Sequence, residues 1–526
     1  MSQNDDVTSQ QEKTLQPSES IRRAGTKNIL ISVCVAATSY YSLTLIAKQF
    51  GGSLGSDAYF FLASLANLAS GIIGSLLGTV FLPAFIKLLT QADKSEAYCF
   101  ASSIFSWCLV ITCGTALPIL IWNEQFFSYA SRFDALQLSQ MSLFLKYFVP
   151  IFLFGVLSEF FRVVALSIGK FSTAAFTAIF PPLFLIASIF SFGDILHEVV
   201  LLASLLLAKV ISLIILFSVV WKEGIRMRLT LAKNQHTFQF LKASAPYWSA
   251  NVVTNAATFY FDYQASGLGT GVVTALAYAN RVFMLPVVIF LTPLVEISRT
   301  KFAQMQSIGN NEAFNLYYNN LLRFTLYFSV PISALYLTFS QEIISAMFQR
   351  GAFQAESVTI AASCLNLFAW TIPFASVFMV NGRACESYQR LLWPAIFGTF
   401  GNLLMIASTY VLTNAFGYRG IPMAKVAIDI LYLFPFGFIA FQLFGGVPRY
   451  GLIVRSLASS LAAVVPAAIL FNFAFSTRYN GTAFSLHLLI FLVLGFCSFY
   501  CIALLIFSPQ VRADLSDLRR HRSFHL

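Results

Sequence analysis

The residues of this sequence best placed to do chemistry are ionisable side chains inside long apolar stretches. Arg281, Asp262 and Lys209 have no opposite charge three or four residues away along the chain. Because a charge inside the hydrocarbon is costly, such a group usually faces a cavity, a partner or a substrate. Arg281 is the leading candidate for holding a substrate phosphate, with Lys209 second. Asp262 could instead supply a carboxylate to either cation from another helix.

Two further sets of charges are spaced to meet on one helical face. Glu159 and Arg162 lie three residues apart, and Lys425 and Asp429 lie four apart. Opposite charges at these spacings are neighbours on a helix surface. We interpret both as pairs that neutralise each other, and Arg162 is also a candidate substrate-binding cation. The alternative role for the carboxylates Asp262 and Asp429 is coupling of transport to a cation.

The motifs of common enzymes are missing from the sequence. The eight cysteines lie in or beside apolar stretches without the spacing of a metal site, and the five histidines suggest no metal cluster or catalytic dyad. No Walker motif is present, and the glycine-rich stretch at 267–271 joins two apolar spans as a turn. The sequence therefore predicts a protein that is not an enzyme and has no metal site. No cofactor is expected, and the driving force would be a coupling cation or the membrane potential.

The elements that carry these charges are apolar spans. The chain has 526 residues, of which 58% are hydrophobic and 10% charged, whereas soluble domains carry about 25% charged residues. A helix needs roughly 20 apolar residues to cross the hydrocarbon. The sequence therefore predicts an all-α polytopic membrane protein of about fourteen transmembrane helices. The spans lie near 28–48, 58–89, 97–122, 141–168, 171–192, 199–221, 244–264, 271–297, 320–339, 357–381, 391–412, 421–444, 452–475 and 485–507.

Basic residues set the expected topology. The net charge of +11 is concentrated in the tails and in alternate loops, including Arg299 and Arg383. The opposite side holds only Arg132, Arg350, Arg419 and Arg478, with Lys48 and Lys146 at span edges. By the positive-inside rule this places both termini in the cytoplasm. The rule also accounts for the net positive charge, which therefore does not indicate nucleic-acid binding.

The spans divide the chain into six predicted segments. They are a disordered cytoplasmic tail (1–27), an N-lobe of six spans (28–221), a cytoplasmic amphipathic linker (222–243), a C-lobe of six spans (244–444), two further spans (445–507) and a cytoplasmic C-terminal tail (508–526). Six spans return the chain to its starting side, so the two lobes would repeat in parallel orientation.

Four stretches resemble the MurJ/MviN lipid II flippase family, within the multidrug/oligosaccharidyl-lipid/polysaccharide exporter superfamily. They are AKQFGGSLGSDAYFFLASLAN (47–67), LSIGKFSTAAFTAIFPPLF (166–184), TALAYANRVFMLPVVIFLTPL (274–294) and MFQRGAFQAES (347–357). A weaker match runs through GNLLMIASTYVL and FGYRGIPMAKVAI around 401–428. The matches occur in the family's order and cover most of 28–445.

The resemblance implies two six-helix lobes around a cationic cavity, with the last two helices forming a groove for a polyprenyl tail. It implies alternating-access transport of an undecaprenyl-pyrophosphate-linked glycan, with basic cavity residues holding the pyrophosphate. The substrate would be lipid II for peptidoglycan biosynthesis, or a related exopolysaccharide or O-antigen precursor, in the bacterial inner membrane. By position Asp57 and Arg281 match polar cavity residues. Lys48 is a further candidate for substrate binding, and Arg350 with Gly351 matches an external-loop motif.

The sequence departs from the family at four cavity positions. Charged residues of the family's first two spans fall at Ala36, Ser42, Ser70 and Ser75 here. Arg162, Lys209 or Lys425 could supply replacement charge. With these four charges missing, a different lipid-linked glycan fits the sequence about as well as lipid II does.

Two other functions stay open on the sequence alone. One is a cation-coupled exporter of amphipathic small molecules, as in the multidrug branch of the superfamily. The other is a non-transporting scaffold in an envelope-assembly complex, with envelope glycosyltransferases as candidate partners. The expected partners are a polyprenyl-linked glycan lipid and the membrane itself, with no nucleic acid, and the expected state is a monomer.

Overall fold

Every regular element of the described chain is helical. The computed structural model describes residues 19–91, 94–230, 235–309, 311–388, 392–435, 438, 450–476 and 486–508. The predicted C-terminal tail lies outside these ranges from residue 509 onward, as do residues 1–18 of the N-terminal tail. The first helix already begins at Glu19, inside the segment predicted to be a tail.

The helices of the first half precede a non-helical stretch at 225–230 that occupies part of the predicted linker. They are α1 (Glu19–Gln49), α2 (Leu54–Leu76), α3 (Leu82–Gln91), α4 (Lys94–Ile121), α5 (Asn123–Ala130), α6 (Ala135–Gln140), α7 (Ser142–Ser167), α8 (Phe171–Phe176), α9 (Phe180–Leu196) and α10 (Val199–Lys222).

The helices of the second half begin within the predicted linker, which becomes helical from Gln235. They are α11 (Gln235–Ser266), α12 (Val272–Pro286), α13 (Thr292–Ser307), α14 (Asn311–Phe348), α15 (Ala355–Ala369), α16 (Thr371–Ser387), α17 (Leu392–Phe416), α18 (Gly420–Leu431), α19 (Tyr450–Ser476) and α20 (Leu486–Phe507).

The described residues contain eleven helical segments that are long and apolar enough to cross a membrane. A twelfth is added if α15 and α16, which are bent by 45° at their junction, form one span. This polytopic all-α architecture confirms the predicted fold class, with fewer spans than the fourteen predicted. Two predicted spans merge into one helical segment at 395–435, and the predicted span 244–264 lies in α11, which is too polar to count.

Two spans contain the same local distortion. A five-residue π-helical turn at Leu77–Phe81 joins α2 to α3, and another at Val287–Leu291 joins α12 to α13. Each turn is followed at the same distance by a proline, Pro83 or Pro293. Proline removes one backbone donor and clashes with the carbonyl four residues earlier. That carbonyl lies in the π turn in both cases, so the wider turn accommodates the proline in both spans.

The chain divides into two compact units. Unit 1 comprises residues 1–46, 62–129 and 135–251, and unit 2 comprises 47–61, 130–134 and 252–526. The core of unit 1 is built on phenylalanines in ring contact, with Phe81 stacked on Phe85 and Phe100 and tilted against Phe160, at ring-centroid distances of 5.2 to 5.8 Å. One core of unit 2 joins α13, α14 and α16 around Phe302 and Phe314. These cores fix the helices that present the polar groups.

Candidate functional site

Unit 1 brings together three of the charged residues singled out in the sequence. Arg162 on α7 donates from Nε to Oε2 of Glu159 at 2.8 Å, and its Nη2 donates to the other carboxylate oxygen. Lys209 on α10 is half-buried and interacts electrostatically with the same Glu159 carboxylate. The Glu159 carboxylate is therefore paired with Arg162 and interacts with Lys209 at longer range, so two cations and one anion give the cluster a formal net positive charge.

Gly74 of α2 packs directly against this carboxylate. A Cβ atom at position 74 would lie 2.8 Å from Cγ and 2.9 Å from Cδ of Glu159. Both distances are far below van der Waals contact, so any side chain here would displace Glu159. The charged pair thus depends on a glycine from a third helix.

We expect Gly74→Ala to lower the thermal stability of the detergent-purified protein. An alanine in a helix interior normally stabilises by about 1 kcal/mol relative to glycine, so a loss would report the contact with Glu159. Hydrogen bonds to charged groups are worth roughly 1.5–3 kcal/mol each, which is enough to reverse that gain. The measurement is the unfolding temperature followed by size-exclusion chromatography.

Gly114→Ala is the matched control, because a Cβ at position 114 would meet nothing within 4 Å. In a Glu159→Ala background the Gly74→Ala change should cause no further loss. Equal losses in both backgrounds would show that the contact with Glu159 is not responsible.

The three serines at the neutral positions of unit 1 make hydrogen bonds within their own helices, as far as the described residues show. Ser42 donates to the carbonyl of Ser39 at 2.8 Å, Ser70 to that of Ala66 at 2.8 Å, and Ser75 to that of Ile72 at 3.0 Å. Each hydroxyl thus bonds within its own helix, as serine in membrane helices commonly does.

In unit 2, Asp57 is fully buried and caps a helix that begins more than 200 residues later. Its Oδ1 accepts hydrogen bonds from the backbone N–H of Thr274 at 2.8 Å and from the Thr274 hydroxyl at 2.6 Å. Its Oδ2 accepts from the backbone N–H of Gly271. The carboxylate therefore satisfies free donors at the N-terminus of α12, where the helix dipole also favours a negative charge.

The segment carrying Asp57 contacts the predicted external-loop motif as well. The backbone N–H of Ala352 donates to the carbonyl of Lys48 at 2.9 Å. Gly351 has φ +58°, and a Cβ there would clash with that same Lys48 carbonyl, so the close approach requires glycine. Phe353 of the motif is buried and meets the ring of Tyr278 edge-on at 5.1 Å. We call the contacts of 47–57 with 271–278 and 348–357 the Asp57 junction.

Lys48 and Arg350 lie at the surface of the Asp57 junction. Both side chains are exposed, and Arg350 Nη2 donates to the carbonyl of Ala346 at 3.3 Å. Gly351 therefore has a clear structural role in the motif, whereas Arg350 extends outward.

Arg281 lies on an apolar exposed face of α12. The opposite face of the helix is buried through Tyr278, Val282 and Phe283, while Arg281 is exposed beside Met284. It interacts electrostatically with Tyr59 of α2. A guanidinium facing lipid near the membrane centre costs at least about 2.5–3.5 kcal/mol, so this face is expected to line a water-filled space.

Asp262 belongs to a polar stripe on α11 whose other members were not among the predicted site residues. Thr254, Thr258 and Asp262 recur every four residues, with Asn255 beside the first. Thr254 and Thr258 are exposed, and the amide of Asn402 on α17 donates to the Thr254 hydroxyl at 2.9 Å. The spacing could have revealed the stripe, because residues four apart share one helical face.

Lys425 and Asp429 form the pair that their spacing predicts. Lys425 Nζ lies 3.2 Å from Asp429 Oδ2, and both side chains of α18 are largely buried. The carboxylate is thereby neutralised within its own helix.

A second charged group in unit 2 contains Arg299 and Arg383, which the sequence analysis places only among the basic residues of the loops. Arg383 on α16 donates from Nη1 to both oxygens of Glu386, at 2.7 and 2.9 Å, and from Nη2 to Glu296 of α13. Arg299 Nε lies 3.4 Å from Glu386 Oε2. Glu296 and Arg299, like Arg383 and Glu386, are opposite charges three residues apart. This spacing is the feature of the sequence from which the group could have been predicted. This group joins α13 to α16.

These groups suit electrostatic binding better than bond-breaking chemistry. Within the described ranges, no three histidine, cysteine, aspartate or glutamate side chains are grouped to hold a metal ion. The exposed cation of unit 2 and the net positive cluster of unit 1 can attract an anion. The Asp57 junction can hold helix ends together.

The family model described as "Lipid II flippase MurJ" matches residues 46–495 of the chain. The "Probable lipid II flippase MurJ" of Aquifex aeolicus (strain VF5) is 23% identical over 457 residues, covering 82% of this chain and 89% of that protein.

Among solved structures, one titled "Lipid II flippase MurJ, inward closed conformation" matches with a TM-score of 0.76 and 19% identity, covering 93% of this chain and 99% of that one. An inward-facing multidrug resistance MATE family transporter of the MOP superfamily matches with a TM-score of 0.66 and 14% identity, covering 78% and 95%. At these identities the two structures establish a shared fold.

Proposed function

The chain belongs to the MurJ lipid II flippase family, which is a family of transporters and not of enzymes, and from this we propose that it flips an undecaprenyl-pyrophosphate-linked glycan across the bacterial inner membrane. The substrate is lipid II or a related exopolysaccharide or O-antigen precursor. Fourteen spans, arranged as six, six and two with both termini in the cytoplasm, are part of the proposal.

The observation that carries the proposal is the exposed cation of α12. Arg281 lies within the segment TALAYANRVFML that resembles the family, and Met284, the exposed residue about one helical turn further on, is apolar. A planar guanidinium can bind two oxygens of a pyrophosphate at once. The polar stripe of α11, which belongs to the same unit, supports a hydrated surface rather than a lipid-facing one.

In unit 1 we propose that positive charge is carried by α7 and α10, instead of by α1 and α2 where the family has charged residues. Ala36, Ser42, Ser70 and Ser75 carry no charge, while Arg162 and Lys209 outnumber Glu159 by one positive charge. The carboxylate of Glu159 lies directly against α2 at Gly74. A positive surface in unit 1 is thus retained by different helices, which would alter where a substrate phosphate binds.

For the transport step we propose that the Asp57 junction closes the external side. Its bonds join α1 and α2 to α12 and the loop before α15 through backbone groups and one buried carboxylate. Alternating access would require these bonds to break and reform in each cycle. The membrane potential could contribute, since moving one charge through 100 mV is worth about 2.3 kcal/mol.

The test is a flipping assay with purified protein in liposomes. Fluorescent lipid II and a second undecaprenyl-pyrophosphate glycan are each offered on one side, and the fraction reaching the other side is measured. We expect movement of at least one of the two above empty liposomes. Native mass spectrometry of the same preparation should detect a co-purifying polyprenyl lipid.

The multidrug alternative is kept because Asp262 lies on the polar stripe of α11 and because the fold is shared with a MATE transporter. Drug resistance conferred on a sensitive strain, without glycolipid movement in liposomes, would favour it. Capture of an envelope glycosyltransferase by protein that neither binds nor moves a glycolipid would favour the scaffold alternative.

A further inference from the structure

A cavity of ≈ 350 Å³ with a mixed polar and apolar lining lies in unit 2, far from Arg281 in sequence and outside the segments that form the Asp57 junction. Five polar residues line it: Ser340, Gln341, Ser363, Asn366 and Arg419. They come from α14, from α15 and from the short turn at Gly417–Arg419 that joins α17 to α18. Ala362, Leu367 and Met423 complete the lining, so Arg419 is its only charged residue.

A break in α14 lies directly beside this space. Phe339 has non-helical φ and ψ of −123° and 25°, which interrupts the helix immediately before Ser340. The amide of Asn366 donates to the carbonyl of Leu337 at 2.7 Å and thereby satisfies a group beside the break. Asn366 is thus a positioning residue that keeps the kink open.

Arg419 is available to bind a ligand. Its side chain is exposed, and its guanidinium lies 5.9 Å from the ring of Tyr418. Among the residues described by the structure, no carboxylate pairs with it within 4 Å. Arg132 and Arg350, the other described arginines of the same predicted side, donate to Gln264 and to a backbone carbonyl.

The position of the cavity along α14 places it near the membrane surface. α14 has 38 residues, whereas roughly 20 suffice to cross the hydrocarbon, so the helix must extend well beyond it. Gln341 lies about 10 Å before the end of that helix at Phe348. On the proposed topology this end is external, which places the cavity near the headgroups of the outer leaflet.

We propose that this cavity binds the phosphate ester of a lipid headgroup in the outer leaflet. The guanidinium of Arg419 holds the phosphate, while Gln341 and Ser363 hydrogen-bond to hydroxyl or ester oxygens beside it. The volume accommodates a phosphate with a glycerol or one sugar ring, and is too small to enclose a whole oligosaccharide. This site is separate from the Arg281 face, and its sidedness rests on the topology proposed above.

The same chemistry occurs in two lipids, and the experiment distinguishes them. Full-length protein is titrated with phosphatidylglycerol or with undecaprenyl phosphate, and bound lipid is quantified by native mass spectrometry. Arg419→Gln removes the charge, Arg419→Lys retains it, and Ser363→Leu fills the cavity without altering charge. Lys146→Gln is the matched control, because Lys146 is an exposed cation of the same predicted side in unit 1.

We expect Arg419→Gln to weaken binding of one of the two lipids by about tenfold or more. Ser363→Leu should weaken binding of the same lipid, Arg419→Lys should largely restore it, and Lys146→Gln should leave it unchanged. Loss confined to phosphatidylglycerol would identify a bulk phospholipid as the ligand, and loss confined to undecaprenyl phosphate a carrier lipid. Wild-type affinity for both lipids in Arg419→Gln and Ser363→Leu would overturn the proposal.

Because the test measures binding, its result is independent of the flipping assay. If the Arg419→Gln variant loses lipid binding but still flips glycolipid, the proposed function stands and this second site is confirmed. A protein that binds through Arg419 but moves no glycolipid would confirm the site and contradict the proposed function.

Discussion

Arg281→Ala is expected to abolish glycolipid flipping while leaving the protein folded and inserted in the membrane. The side chain is exposed on α12 and contributes no core packing, so its removal should cost little stability. If the guanidinium binds two pyrophosphate oxygens, its loss removes two charge-assisted hydrogen bonds of roughly 1.5–3 kcal/mol each. Transport at limiting substrate should therefore fall by about a hundredfold or more.

The measurement compares initial flipping rates in liposomes that contain equal amounts of monodisperse protein. Asn280→Ala is the matched control, since Asn280 is the neighbouring exposed polar residue on α12 and carries no charge. Arg281→Lys should retain part of the activity, because an ammonium keeps the charge but loses the paired geometry. Normal transport by Arg281→Ala would remove Arg281 from the substrate site.

Contacts between neighbouring residues were predictable from the sequence. The pairs Glu159–Arg162 and Lys425–Asp429 are local, and a helix brings residues three or four apart together whatever the rest of the fold does. Both pairs form as predicted. The same spacing relates Glu296 to Arg299 and Arg383 to Glu386, although Arg299 and Arg383 were predicted only to set the topology.

Contacts between distant segments could not be predicted from residue spacing. Asp57 and Thr274 are 217 residues apart, and only the packing of helix ends brings them into contact. Lys209 has no partner on its own helix, and Glu159 reaches it from α7. Gly74 shows the same limit, because a small residue indicates close packing without identifying the side chain that packs on it.

Hydropathy predicted most spans and is least informative for a helix that carries polar groups. α11 is the clearest case, since a span is predicted at 244–264 although its polar residues, among them Thr254, Thr258 and Asp262, keep the helix below the apolar character of a typical span. The same polar groups would suit it to line a hydrated surface. The family resemblance of other segments supplied the architecture that hydropathy left incomplete.

Asp57→Ala is expected to open the Asp57 junction and to reduce transport by about tenfold or more, since it removes three hydrogen bonds to a buried carboxylate. The backbone N–H groups of Gly271 and Thr274 and the Thr274 hydroxyl would lose their partner in a buried position. Hydrogen–deuterium exchange followed by mass spectrometry should show faster exchange in peptides covering 271–278 and 348–357. Core peptides of unit 1 serve as the internal reference.

Asp194→Ala is the matched control, because Asp194 is an exposed carboxylate near the end of α9. Asp57→Asn should be intermediate, since its amide oxygen can still accept from Thr274 while its NH₂ group opposes the N–H of Gly271. If transport falls and exchange at 271–278 stays at the wild-type rate, Asp57 acts on the substrate itself. If exchange rises together with the loss of transport, the carboxylate acts by holding the ends of α2 and α12 closed.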